Sequence, residues 1–97
     1  MSDVLITGNS GAAALGLACM QGELDIVKML LEKKEIDINT QTVNGVTPFT
    51  LSLVRSHDEI STILLNRPDL KLNYENIDPL HVAAANGQVE IVKKLVR

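Results

Sequence analysis

The apolar residues of this chain fall in short clusters whose spacing is helical. Ile26, Val27, Leu30 and Leu31 lie on one stripe of a helix that begins near Leu24. The same stripe returns at Ile60, Leu64 and Leu65, and again at Ile91, Leu95 and Val96. Ahead of each stripe runs a second cluster of small and aliphatic residues, so each segment reads as a pair of helices.

The segments superimpose on one another. Thr47-Pro48-Phe49-Thr50-Leu51-Ser52-Leu53 lies 31 residues before Asp78-Pro79-Leu80-His81-Val82-Ala83-Ala84, and that shift also carries Ile60, Leu64 and Leu65 onto Ile91, Leu95 and Val96. A shift of 34 residues carries Leu15, Ala18, Cys19, Ile26, Leu30 and Leu31 onto Phe49, Ser52, Leu53, Ile60, Leu64 and Leu65. Self-similarity at this period marks a repeat architecture. The chain reads as one domain, 1–97: an irregular cap at 1–12, a first repeat at 13–46, a second at 47–77 and an incomplete third at 78–97.

Local chemistry fixes the boundaries within each unit. Pro48 and Pro79 stand where a first helical turn needs no N–H, and Thr47 or Asp78 just before them can cap the helix. Gly22 and Gly87 fall between the paired helices, where a left-handed residue ends the first of them. Ser56 holds that place in the middle unit and predicts a strained or differently shaped turn. Val43-Asn44-Gly45-Val46 reads as a tight hairpin, because Asn-Gly readily takes positive φ.

These residues carry a family resemblance. Asp78-Pro79-Leu80-His81-Val82-Ala83-Ala84, followed by Gly87 and Ile91-Val92, resembles the opening, paired alanines, glycine and Ile-Val of an ankyrin repeat. Gly22 to Leu31 resembles the family's second helix, and Asp37-Ile38-Asn39 the segment leading to its hairpin. The resemblance implies an all-α solenoid of stacked helix-turn-helix units joined by β-hairpin-like loops. It also implies that His81 is a structural histidine bonding adjacent units.

Some features depart from the pattern. The stretch Lys33-Lys34-Glu35-Ile36 lengthens the first connection by a residue, and the interval from Asn73 to Pro79 predicts a shortened second hairpin finger. Ala13-Ala14 and Gly16 replace the opening Thr-Pro and His of the first unit, which marks it as an end unit. The sequence stops within the third unit's second helix. Ile91, Leu95 and Val96 would then have nothing over them, an arrangement expected of a longer array or of self-association at that end.

Composition narrows the function. With 97 residues, 45% hydrophobic but only 2% aromatic, the core must be built from Leu, Ile, Val and Ala. A net charge of −3 and basic runs no longer than Lys33-Lys34 or Lys93-Lys94 give no footprint for nucleic acid. No apolar run reaches the roughly 18 residues a membrane span needs. A single cysteine, Cys19, fits a reducing compartment, and the expected location is inside the cell, cytoplasmic or nuclear.

Candidate chemistry is sparse. Val4-Leu5-Ile6-Thr7-Gly8-Asn9-Ser10-Gly11 has the outline of a strand and glycine turn that could meet a dinucleotide, but Ala12, Ala13 and Ala14 stand where further glycines are needed. It also lacks the Gly-Lys-Ser/Thr ending of a phosphate loop. No cofactor is expected. His57 and His81 occupy different places in their units with no ligand cluster between them, so no metal is expected; His57 reads as solvated surface. Cys19 aligns with Leu53 and Ala84 on the buried face, a core position rather than a nucleophile. Glu23, Asp25, Asp58, Glu59 and Glu90 gather at the starts of second helices, where carboxylates favour the helix dipole. The chain is not expected to be an enzyme.

What remains is binding. By resemblance, partners of ankyrin proteins meet the hairpin tips and the concave side of the first helices. In this sequence those places are Met20, Val54 and Ala85, beside them Gln21, Arg55 and Asn86, and at the tips Val43, Asn44, Val46, Tyr74, Asn76 and Ile77. The expected function is a protein-interaction module, scaffold or adaptor. The alternative is the recognition arm of a larger enzyme whose catalytic domain lies outside these residues. Leu31 with Asp37-Ile38-Asn39 also resembles the pattern hydroxylated on asparagine in the family, against a simpler role for Asn39 as a loop cap.

Overall fold

The computed structural model describes residues 8–41, 46–72 and 78–96. Six helices follow one another: α1 (Gly8–Gln21), α2 (Leu24–Leu31), α3 (Pro48–Val54), α4 (Asp58–Leu65), α5 (Pro79–Ala85) and α6 (Val89–Val96). They form three pairs. α3 packs between α1 and α5, α4 packs between α2 and α6, and no strand occurs among the described residues. The result is elongated, 44 × 25 × 23 Å, as stacking in one dimension requires.

The start signals work as read. Pro48 and Pro79 open their helices, the Thr47 hydroxyl accepts from the Thr50 amide at 3.4 Å, and the Asp78 carboxylate accepts from the Leu80 amide at 2.9 Å. The turns within each pair share one geometry: Gly22 at φ +79°, Ser56 at φ +61° and Gly87 at φ +69°. Glu23, His57 and Gln88, one residue on, each return an amide hydrogen bond of 2.9 Å to the carbonyl five residues back. Ser56 therefore makes the same turn as the glycines and carries the strain of a left-handed Cβ.

The first helix differs from expectation. Instead of an irregular cap to residue 12, α1 begins at Gly8 and Ala12 is buried. The cause lies in the lengthened connection, which folds back so that Ile36, 5% exposed, lies over Gly11; a Cβ on Gly11 would stand 2.6 Å from its Cγ1. The Gly8–Gly11 stretch is thus the first turn of a helix and not a glycine turn.

One core runs through all three pairs: Leu15, Cys19, Val27, Ile38, Phe49, Leu53, Ile60, Leu64, Ala83 and Ile91 are buried together. The middle unit adds a pair of hydroxyls to it. The Ser52 hydroxyl meets Phe49 O and Ser61 Oγ, both at 2.6 Å, where the first unit has Ala18 and Val27. Ile91, expected to be uncovered, is 1% exposed because it faces α4; the exposed Ala and Val side chains of the third unit are Ala84, Ala85, Val89 and Val96.

Candidate partner-binding site

Repetition turns equivalent residues into rows. Met20, Val54 and Ala85 hold the same place near the ends of α1, α3 and α5, which lie side by side. Met20 is half-buried, Ala85 is exposed, and Val54 leaves 48% of its surface to solvent. The next row is Gln21, Arg55 and Asn86, all exposed. Val46 is half-buried before α3, while Val43, Asn44, Tyr74, Asn76 and Ile77 lie outside the described residues.

Not every member of these rows is available to a partner. Asn86 donates its side-chain amide to the Leu53 carbonyl at 2.9 Å, so it joins the second and third units. Gln88 donates to that same carbonyl at 3.3 Å and to Asp58 Oδ1 at 2.5 Å. Its equivalent in the second unit is His57, whose Nε2–H donates to the Met20 carbonyl at 3.1 Å while the ring packs over Gly22. The carbonyls at the end of a first helix lack the amide four residues on, and here the next unit supplies donors: His57 at Met20, and Asn86 and Gln88 beside the Ser56 amide at Leu53.

This reverses the roles expected of the two histidines. His57 is the one that ties units together. His81 is exposed, 3.8 Å from Asp78 Oδ2 within its own turn, because the side of α5 it occupies has no helix against it among the described residues. Its equivalent Thr50 lies at the centre of the stack and is buried. Among the described residues no three His, Cys, Asp or Glu side chains come together as metal ligands.

The loop side of the stack is tied as well. Asn39 accepts from the Lys71 amide and donates to the Asp69 carbonyl, each at 2.8 Å, and so bridges the first and second units with both ends of its side chain. Asp37 Oδ1 fixes the Asn39 backbone at 2.9 Å. Arg67 donates to the Leu31 carbonyl at the end of α2, 3.1 Å away, and its Nε meets Asp69 at 3.3 Å. Residues 69–72 are thereby held in place under the units.

Cys19 is fully buried between α1 and α3, and burial pushes its thiol up to about 12. The acidic residues sit where expected, Asp25 in the first turn of α2, Asp58 and Glu59 in that of α4 and Glu90 in that of α6, but Glu23 makes no side-chain capping bond. No helix among the described residues is long and apolar enough to cross a membrane.

Residues 15–97 match the family of ankyrin repeats, in three copies. The chain belongs to the ankyrin repeat family. Among its relatives, the SMC5-SMC6 complex localization factor protein 1 of Bos taurus is 33% identical over 94 residues, 94% of this chain and 9% of the relative. A tyrosine-protein kinase of Hydra vulgaris is 35% identical over 91 residues, 90% of this chain and 12% of the kinase. The ankyrin repeat protein nuc-2 of Neurospora crassa is 34% identical over 89 residues, 90% of this chain and 8% of that protein. The chain thus spans about a tenth of the length of the curated relatives it matches. Ankyrin repeats are generally protein-interaction units and typically non-catalytic.

Proposed function

We propose that this chain is an intracellular adaptor module that holds a partner protein along the row Met20, Val54 and Ala85, flanked by Gln21 and Arg55. The observation that carries the reading is Val54. It is a β-branched apolar side chain, half exposed, at the centre of the row and with a cation beside it. Apolar surface that the fold itself does not bury, rimmed by polar groups, is what a partner desolvates on docking. By the family resemblance, Val43, Asn44, Val46, Tyr74, Asn76 and Ile77 would add partner contacts; of these only Val46 is among the described residues. Asn86 is removed from the set, since its amide serves the stack.

The test is quantitative binding with a purified partner captured from the source cell. Val54→Glu with Arg55→Glu should weaken the complex at least tenfold while the thermal melt shifts little, since both residues are exposed. Unchanged affinity would discard the surface. The similarity to part of a kinase supports one further reading, in which the module is the recognition arm of a larger enzyme; the full reading frame decides between them.

A further inference from the structure

The residue before each positive-φ turn differs from unit to unit: Gln21 before Gly22, Arg55 before Ser56 and Asn86 before Gly87. The third pairing is chemically distinct. A glycine nitrogen, with no Cβ beside it, can attack the side-chain carbonyl of a preceding asparagine and close a five-membered ring. Gln21 would need a six-membered ring, which forms far more slowly, and Arg55 has no side-chain carbonyl. In the folded chain the two reacting groups are held apart. Asn86 lies at φ −88° and ψ −1°, a helical setting that turns the Gly87 nitrogen away from the Asn86 side chain. The Gly87 amide donates to the Ala84 carbonyl at 3.2 Å, and the Asn86 side-chain amide donates across the unit boundary to the Leu53 carbonyl at 2.9 Å.

We propose that Asn86 is a site of spontaneous deamidation, gated by opening of the boundary between the second and third units. When the turn after α5 opens, the Gly87 nitrogen bonds to Asn86 Cγ and gives its proton to solvent, while the Cγ–Nδ2 bond breaks and ammonia leaves. Water then opens the ring. Attack at Cγ leaves aspartate; attack at the main-chain carbonyl leaves isoaspartate, whose backbone runs through the side chain and is one methylene longer. The net exchange is ammonia out and water in, with no oxidant, reductant or enzyme. Both products damage the same joint. A carboxylate has no N–H to give the Leu53 carbonyl. The Gln88 side-chain amide already joins that carbonyl, at 3.3 Å, to the Asp58 carboxylate, at 2.5 Å, so deamidation adds a second negative group at one place. Isoaspartate also lengthens the turn from which Gln88 returns its backbone hydrogen bond to the Ala83 carbonyl. The reaction therefore turns a transient opening into a lasting one, since the modified boundary closes less well than the original.

The test is to hold the wild-type chain in mildly alkaline buffer, native, in sub-denaturing urea and fully unfolded, and to follow the tryptic peptide from Leu72 to Lys93 by mass spectrometry. Asn44-Gly45, the other such dipeptide, falls in the separate peptide from Glu35 to Arg55. Fragmentation should place the replacement of nitrogen by oxygen at Asn86, and an isoaspartyl methyltransferase should label the product. The reaction should run at least tenfold slower in the native chain than in the unfolded one. Sub-denaturing urea should speed it in step with amide exchange at Gln88. The purified modified chain should exchange its Ser56 and Gln88 amides at least tenfold faster than the parent, with Asn86→Asp, which has the carboxylate but the normal backbone, in between. Asn86→Gln should leave the position unmodified. Equal rates in the native and unfolded chains overturn the proposal. So does a native chain that stays unmodified where sub-denaturing urea opens the boundary, or a modified chain whose Ser56 and Gln88 exchange is unchanged.

Discussion

The His57 ring donates to the Met20 carbonyl across the first unit boundary, and Gln88 repeats the contact to Leu53 across the second. Both residues directly follow the positive-φ turn, so the turn that separates the paired helices also aims a donor at the preceding unit. A buried carbonyl left without a donor costs about 1–3 kcal/mol, the upper end where water cannot replace the lost partner. His57→Ala should therefore lower stability by about 1–2 kcal/mol, because His57 is half-buried. His57→Gln should recover most of the loss, since glutamine already serves there in the third unit. Urea unfolding of the three proteins checks both statements.

The three turns make a graded series. Ser56→Gly relieves a left-handed Cβ and should raise stability by about 0.5–1 kcal/mol, the glycine's extra unfolded-state freedom offsetting part of the gain. Gly87→Ala adds the Cβ strain but meets no atom within 4 Å. Gly22→Ala adds the same strain and also places a Cβ 2.6 Å from the His57 ring, so it should be the most damaging of the three and should break the Met20 contact as well. Thermal melts that ranked Gly87→Ala below Gly22→Ala would contradict the role given to His57.

Local features of this fold were legible in the sequence and cross-unit ones were not. Thr47-Pro48, Asp78-Pro79 and the glycines act within a few residues of themselves, so their chemistry fixes caps and turns without knowledge of what packs nearby. Ser56 could be placed because the repeat shift aligns it with Gly22 and Gly87. His57, Asn86 and Arg67 act on carbonyls more than thirty residues away, and nothing in their own neighbourhoods names the acceptor. The signal that could have found His57 was its alignment with Gln88, two hydrogen-bonding side chains in the same place after the turn. The early start of α1 was hidden for a similar reason, since it depends on Ile36 folding back over Gly11.

Asn39 predicts a loop phenotype distinct from a core one. Its side chain holds the Lys71 amide and the Asp69 carbonyl, both at the surface. Asn39→Ala should lower global stability by only about 1 kcal/mol, because water can replace exposed bonds. Amide exchange at Lys71 should accelerate much more than that figure implies, by local opening of residues 69–72. Asn39→Asp keeps the acceptor for Lys71 but turns a carboxylate toward the Asp69 carbonyl, so it should accelerate exchange at Lys71 less than alanine does.

The Ser52 and Ser61 hydroxyls form a buried pair found in the middle unit alone. Changing both to the residues of the first unit, Ser52→Ala with Ser61→Val, removes donor and acceptor together and should be neutral or stabilising by about 1 kcal/mol. Ser52→Ala alone leaves Ser61 with a single long bond to the His57 carbonyl at 3.3 Å and should cost about 1 kcal/mol. A double-mutant cycle by urea unfolding therefore carries an opposite sign for the pair and the single change.

Cys19 gives the chain a defined weakness toward alkali. Burial disfavours its thiolate and pushes the folded-state value up to about 12 from 9.0. The folded chain therefore holds a proton that the unfolded chain releases as pH passes 9.0. The contribution is present in full below about pH 9.0 and is lost as pH rises toward about 12. Across that window one proton difference changes stability by about 1.4 kcal/mol per pH unit, downward with increasing pH. The comparison must be differential, so that every other ionisation cancels. Cys19→Ala leaves every other ionisable group in place and introduces at this position the residue that Ala84 supplies in the third unit. Its stability should start below wild type at pH 7 from lost packing, and the gap should narrow steadily between pH 9 and 11. A gap that stayed constant over that range would mean that the thiol reaches solvent without unfolding.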